Sequence, residues 1–148
     1  MSVTEFTDVT TDKDRGVTPR TGLYEFWTDE GAHVYLHDTD FSYLTYQPGR
    51  PPMLELEFVH DPWWAPPELA TMPVVVFRFE DVRIIEWCEN QEGHDCVTAR
   101  PDAPPGQVDC FDWDGNDLPV LDIFTLRLTF RASRVAVAVR TKQNEEPS

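Results

Sequence analysis

The sequence predicts a mainly β protein: an antiparallel β-sandwich or partly open barrel of about eight strands in a single domain. Three observations carry that prediction. The dominant apolar period is two, and no window of eleven or more residues holds a 3.6 period. A chain of 148 residues is long enough for one hydrophobic core without staples. Its 41% hydrophobic fraction, with five Trp, four Tyr and nine Phe, excludes a globally disordered chain.

Residues 1–20, polar and aperiodic, read as a flexible arm. Strands are expected at 22–28 and 32–37, joined by the turn "TDEG" at 28–31, and at 41–47, followed by "QPGRPP" at 47–52. The strand 53–60 contains "LELEF", which sets Leu54, Leu56 and Phe58 against Glu55 and Glu57. The loop 61–73 holds Trp63 and Trp64, and Pro66 and Pro67 there could open one helical turn. The strand 73–80 contains "VVVFRFE", which sets Val75, Phe77 and Phe79 on one face and Val74, Val76, Arg78 and Glu80 on the other. A strand at 82–88 leads into an irregular loop, 88–108. One long strand, 120–131, sets Phe124, Leu126, Leu128 and Phe130 on one face. It turns at "RAS", 131–133, into a last hairpin arm at 133–141 with Val135, Val137 and Val139 inward. The β domain thus spans 21–142, and 143–148 is a flexible tail.

Net charge is −15. Residues 80–122 hold twelve acids against Arg83 and Arg100, and residues 21–70 hold nine acids against Arg50. Residues 123–148 instead hold five bases against Glu145 and Glu146. Such a field repels nucleic acid and anionic lipid and attracts cationic partners; it also keeps a protein soluble in salt. No apolar run approaches a membrane span, and the N-terminus lacks a secretion pattern, so a cytoplasmic location is expected. Cys88, Cys96 and Cys110 cannot all pair within one chain, and in that compartment reduced thiols are the default.

The segment "DCFDWDGND", 109–117, gathers oxygen ligands. Asp112, Asp114 and Asn116 match the first positions of a calcium loop, but Asp117 stands where glycine is needed and Ile123 where a bidentate Glu is needed. Gly115-Asn116 fits a turn better. Cys88, His94, Cys96 and Cys110 lack the close cysteine pairs of structural zinc sites. His33 and His37 would lie about 13 Å apart on a strand, too far to share an ion. Glu55 and Glu57, about 6.6 Å apart on one face, have the spacing of a glycosidase pair but equally that of a wet strand face. The four serines form no nucleophile elbow, and no phosphate-binding glycine loop occurs, so no catalysis and no cofactor are expected. The enzyme alternative is a small hydrolase using Glu55 and Glu57, or a metal around Cys88–Cys110. Trp63 and Trp64 would suit a carbohydrate or peptide binder.

Trp87 and Trp113 sit within acidic stretches. An indole ringed by carboxylates supplies contact area and steering toward a basic protein, so Glu86, Trp87, Glu89, Asp112, Trp113, Asp114 and Asp117 form the expected contact set. The series "LHDTDFSYLTYQPG", "MLELEF", "VVVFRFEDVRIIEW" and "FTLRLTFRASRVAVAV", across roughly 36–140, resembles small β-rich bacterial immunity proteins that neutralise polymorphic toxins. The chain departs from them in its 88–108 insertion and its Trp-rich 61–73 loop. The resemblance implies a stoichiometric, non-catalytic inhibitor, acidic where its toxin is basic. The expected partner is therefore a basic protein, with no nucleic acid or membrane.

Overall fold

Alternating apolar residues build the strands of the computed structural model, which describes residues 4–12, 14–36, 39–59, 73–89, 108–123 and 126–141. Eleven strands lie among them. These are β1 (Glu5–Thr7), β2 (Glu25–Trp27), β3 (His33–Tyr35), β4 (Asp40–Gln47), β5 (Met53–Val59), β6 (Pro73–Glu80), β7 (Arg83–Glu89), β8 (Val108–Trp113), β9 (Pro119–Ile123), β10 (Leu126–Arg131) and β11 (Arg134–Thr141). They form three open sheets, ordered β1-β11-β6-β5-β4, β7-β10-β9-β8 and β2-β3. Every ladder is antiparallel except the short parallel pairing of β1 with β11.

The period-two reading explains what lies inside. Leu54, Leu56 and Phe58 of β5, Val75, Phe77 and Phe79 of β6, and Val135 and Val137 of β11 are buried on one face. They meet Phe111 of β8, Leu121 of β9 and Leu128 and Phe130 of β10 in one cluster, closed at the side by Phe26 and Val34 of the β2–β3 hairpin. Phe77 sits at the junction. Its ring lies 5.6 Å from Phe58, 5.2 Å from Phe111 and 6.0 Å from Phe26, so one side chain touches all three sheets.

Two short corners couple the large sheets. The chain leaves β6 for β7 through Asp81 and Val82, and leaves β10 for β11 through Ala132 and Ser133. Ser133 N–H donates to the Glu80 carbonyl, tying the two corners side by side. Asp81 takes a φ of 58°, a left-handed conformation that Asp tolerates better than most side chains. A paired ribbon, β6 with β11, therefore bends at one level and continues as β7 with β10.

Four expectations are corrected here. The last two strands are not a hairpin: β10 and β11 belong to different sheets, because "RAS" turns the corner between sheets. The strand expected over 120–131 is two strands, β9 and β10, with Ile123 opposite Leu126; no Gly, Pro or Asn marked the reversal. The arm expected over 1–20 contributes β1, and Thr4 is buried with its hydroxyl donating to the Ala132 carbonyl. The turn expected at Gly115-Asn116 is present, with Gly115 at a φ of 92°, but the residues before it, where no strand is expected from the sequence, form β8.

Candidate binding surface

Strand order decides which acidic indole is exposed. In β10, Leu128 opposes Trp87 of β7 on one side and Leu121 of β9 on the other, and Leu121 opposes Phe111. Directly opposed residues share a face, so Trp87 belongs to the same face as three fully buried core residues. It nevertheless is 49% exposed, because β7 is an edge strand and its inner face overhangs the core. The Trp87 indole N–H donates to Glu89 Oε2 at 2.9 Å, which fixes the ring beside a carboxylate. Ile85, also 49% exposed, is the extra residue where the β7–β10 register shifts. Glu86 points to the opposite, outer face with Thr129, Val120 and Asp112 in one row across the sheet.

Trp113 corrects the expected contact set. It is 7% exposed, packs edge-on against Phe6 with ring centroids 5.0 Å apart, and donates its indole N–H to the Asn116 carbonyl. In a strand the immediate neighbours face the opposite side, so Asp112 and Asp114 flank the ring in sequence without exposing it. Asp114 is a turn former: its Oδ1 accepts the Asn116 and Leu118 backbone N–H groups at 2.7 and 3.1 Å. Asp117 holds Arg131 at 2.7 Å. Of the four residues expected from this segment, Asp112 presents an exposed acid on the outer sheet face, where its Oδ2 accepts from the Cys110 thiol at 3.6 Å. It lies three strand spacings from Glu86, about 14 Å away, so the expected set splits between two edges of the sheet.

The other chemistry considered from the sequence has structural partners too. Glu55 accepts hydrogen bonds from the Tyr43 hydroxyl at 2.6 Å and from Arg78 at 3.1 and 3.2 Å, and Glu57, 5% exposed, accepts one from Ser42. They knit the outer face of β4, β5 and β6. Beside them lies a depression of about 350 Å³ lined by Thr45, Gln47, Met53, Glu55 and Arg78. On the β2–β3 hairpin, His33 is stacked 4.1 Å from Trp27 and 5.7 Å from Tyr35, its Nε2 2.9 Å from Glu25, while the Arg15 guanidinium lies over the Trp27 ring, 5.7 Å from its centroid. These rings cover one another and make a ladder along the hairpin. Sequence reading of the histidines missed this; the alternation of Glu25, Trp27, His33 and Tyr35 was its signal.

Cys88 is disulfide-bonded, which overturns the expectation of reduced thiols, whereas Cys110 remains a thiol that donates to Asp122 at 3.5 Å. A disulfide sulfur is not a thiolate ligand, so Cys88 leaves the candidate zinc set. Cys96, His94, His37, Trp63 and Trp64 lie outside the described residues. Among the described residues, no group of three or more His, Cys, Asp or Glu converges to hold a metal, and no helix is long and apolar enough to cross a membrane. Comparison with protein-family models, curated proteins and solved structures finds no match to this chain.

Proposed function

We propose that the protein is a non-catalytic binding protein, an acidic inhibitor of the immunity type that docks on and occludes a basic protein such as a toxin domain. One observation carries this reading. An indole stands half exposed on an edge strand, held by Glu89 and followed across the outer face by Glu86. An aromatic anchor of this kind gives desolvated contact area, and the acids give steering within a net charge of −15. The contact set becomes Ile85, Glu86, Trp87 and Glu89, with Asp112 at the far edge; Trp113, Asp114 and Asp117 shape the fold behind it.

The test uses the product of the adjacent reading frame in the host as partner. Trp87→Ala is expected to weaken binding about 30-fold, the loss of a hot spot worth roughly 2 kcal/mol. Glu86→Lys with Glu89→Lys should cut the association rate about tenfold at low salt and flatten its salt dependence. Binding that ignores both variants removes β7 as the docking strand.

Cytoplasmic residence suits an intracellular target, but it sits against the bonded Cys88, because cytosolic reductants keep thiols reduced. Acid quenching of cells, then alkylation of the denatured chain, decides between them. Cys110 alkylated with Cys88 protected is the expected result and places the protein in an oxidising compartment. All three cysteines alkylated would place it in the cytoplasm.

A further inference from the structure

Among the described residues, exposed apolar side chains are not scattered. Tyr43, Tyr46, Ile85 and Trp87, four of the five exposed large hydrophobics among the described residues, stand on β4 and β7. Both are long strands at sheet edges. The third long edge, β8, is covered: Leu23 N–H donates to the Phe111 carbonyl and Val108 N–H to the Thr39 carbonyl. Edge strands normally carry lysine, proline or charge as protection against pairing with another chain. β7 has Glu86 and Glu89. In β4, the run Tyr43–Gln47, "YLTYQ", has no charge and no proline, and its register on β5 is unbroken from Tyr43 opposite Glu57 to Gln47 opposite Met53.

The geometry points to β4 as a homodimer interface, in which a second copy of this chain pairs its own β4 antiparallel across a two-fold axis at Thr45. That register sets Thr45 against itself, Leu44 against Tyr46 of the second copy, and Tyr43 against Gln47 of the second copy. Leu44 and Tyr46 share the core side, so this pair extends the hydrophobic layer. Tyr43 and Gln47 share the outer side, where Gln47 rims the depression of about 350 Å³. The ends of the strand match in charge. Asp40 starts β4, and Arg50, the one base within residues 21–70, follows its far end. Neither has an ion-pair partner among the described residues. An antiparallel two-fold brings Asp40 of each copy toward Arg50 of the other. Pairing through β7 would instead bring Glu86 and Glu89 toward their own copies, which is unfavourable. Two five-stranded sheets thus join into one of ten, leaving Trp87 exposed.

Sedimentation of the full chain from about 5 to about 500 μM, in about 50 and about 500 mM NaCl, tests this. The mass should rise from 17.1 kDa toward twice that value, and rise further at high salt, which screens two chains of −15. Binding of a basic partner at β7 has the opposite salt dependence, so the two surfaces fail or hold separately. Thr45→Glu, which puts two carboxylates face to face on the axis, should lower association at least about tenfold. Arg50→Glu, at an exposed loop position, should weaken it similarly, and Trp87→Glu should leave it unchanged. A mass of 17.1 kDa under every condition, or a dimer lost with Trp87→Glu but kept with Thr45→Glu, overturns the assignment.

Discussion

Phe77→Ala is expected to lower folding stability by about 3–5 kcal/mol, a large part of the 5–15 kcal/mol typical of such a domain. The side chain is fully buried, and among the described residues no other ring pairs with rings that bring in all three sheets. Truncation removes its transfer free energy and leaves a cavity bounded by Phe26, Phe58, Phe79 and Phe111. Two sheets and a hairpin cannot all close on that space at once, so the cost should fall at the upper end. Phe41, half-buried at the β4 edge and packed edge-on against Phe58 at 5.6 Å, is the comparison; Phe41→Ala should cost less than half as much. Urea unfolding measures both, and the slope with denaturant should stay unchanged. Equal losses at the two positions would mean the sheets do not share one core.

Much of this core was legible in the residues. β6 was found with its true bounds, and every inward residue assigned to 54–58, 75–79 and 126–139 that the structure describes is buried or half-buried. Strand order was not legible, and it governs the site. "EWCE" and "DWD" read alike, yet Trp87 is half exposed and Trp113 buried. Both rings point to the core side of their strands. The difference is what covers them: Phe6 packs on Trp113, while Trp87 overhangs an edge with β10 as its one ladder partner among the described residues. Strand β8 escaped notice for a related reason. The register shift between Val108 and Cys110 breaks the alternation, so Phe111 and Trp113 did not connect to Val108 as one inward set. The burial of Glu57, Val74 and Val76, on the face opposite the core, likewise has no signature in a period-two pattern.

Gly22→Ala is the second substitution with a large expected effect, about 3–5 kcal/mol, and it bears on which edges of the molecule are open. Gly22 has a φ of 61°, where an L side chain is strained by roughly 1 kcal/mol. A Cβ there would also lie 2.5 Å from the Phe111 carbonyl oxygen and 2.9 Å from Asp112 Cα, both backbone atoms of β8. Relief needs β8 to move. That movement breaks the 2.7 Å bond from Leu23 N–H to Phe111 and shifts the Phe111 ring from the cluster around Phe77. Gly31 isolates the conformational part: its φ is 89°, nothing lies within 4 Å of its Cβ position, and Gly31→Ala should cost only about 1 kcal/mol. The difference between the two glycines, read from urea midpoints, therefore reports the clash alone. If they cost the same, β8 is not closed by Leu23, and it must be counted with β4 and β7 among the strands able to accept another chain.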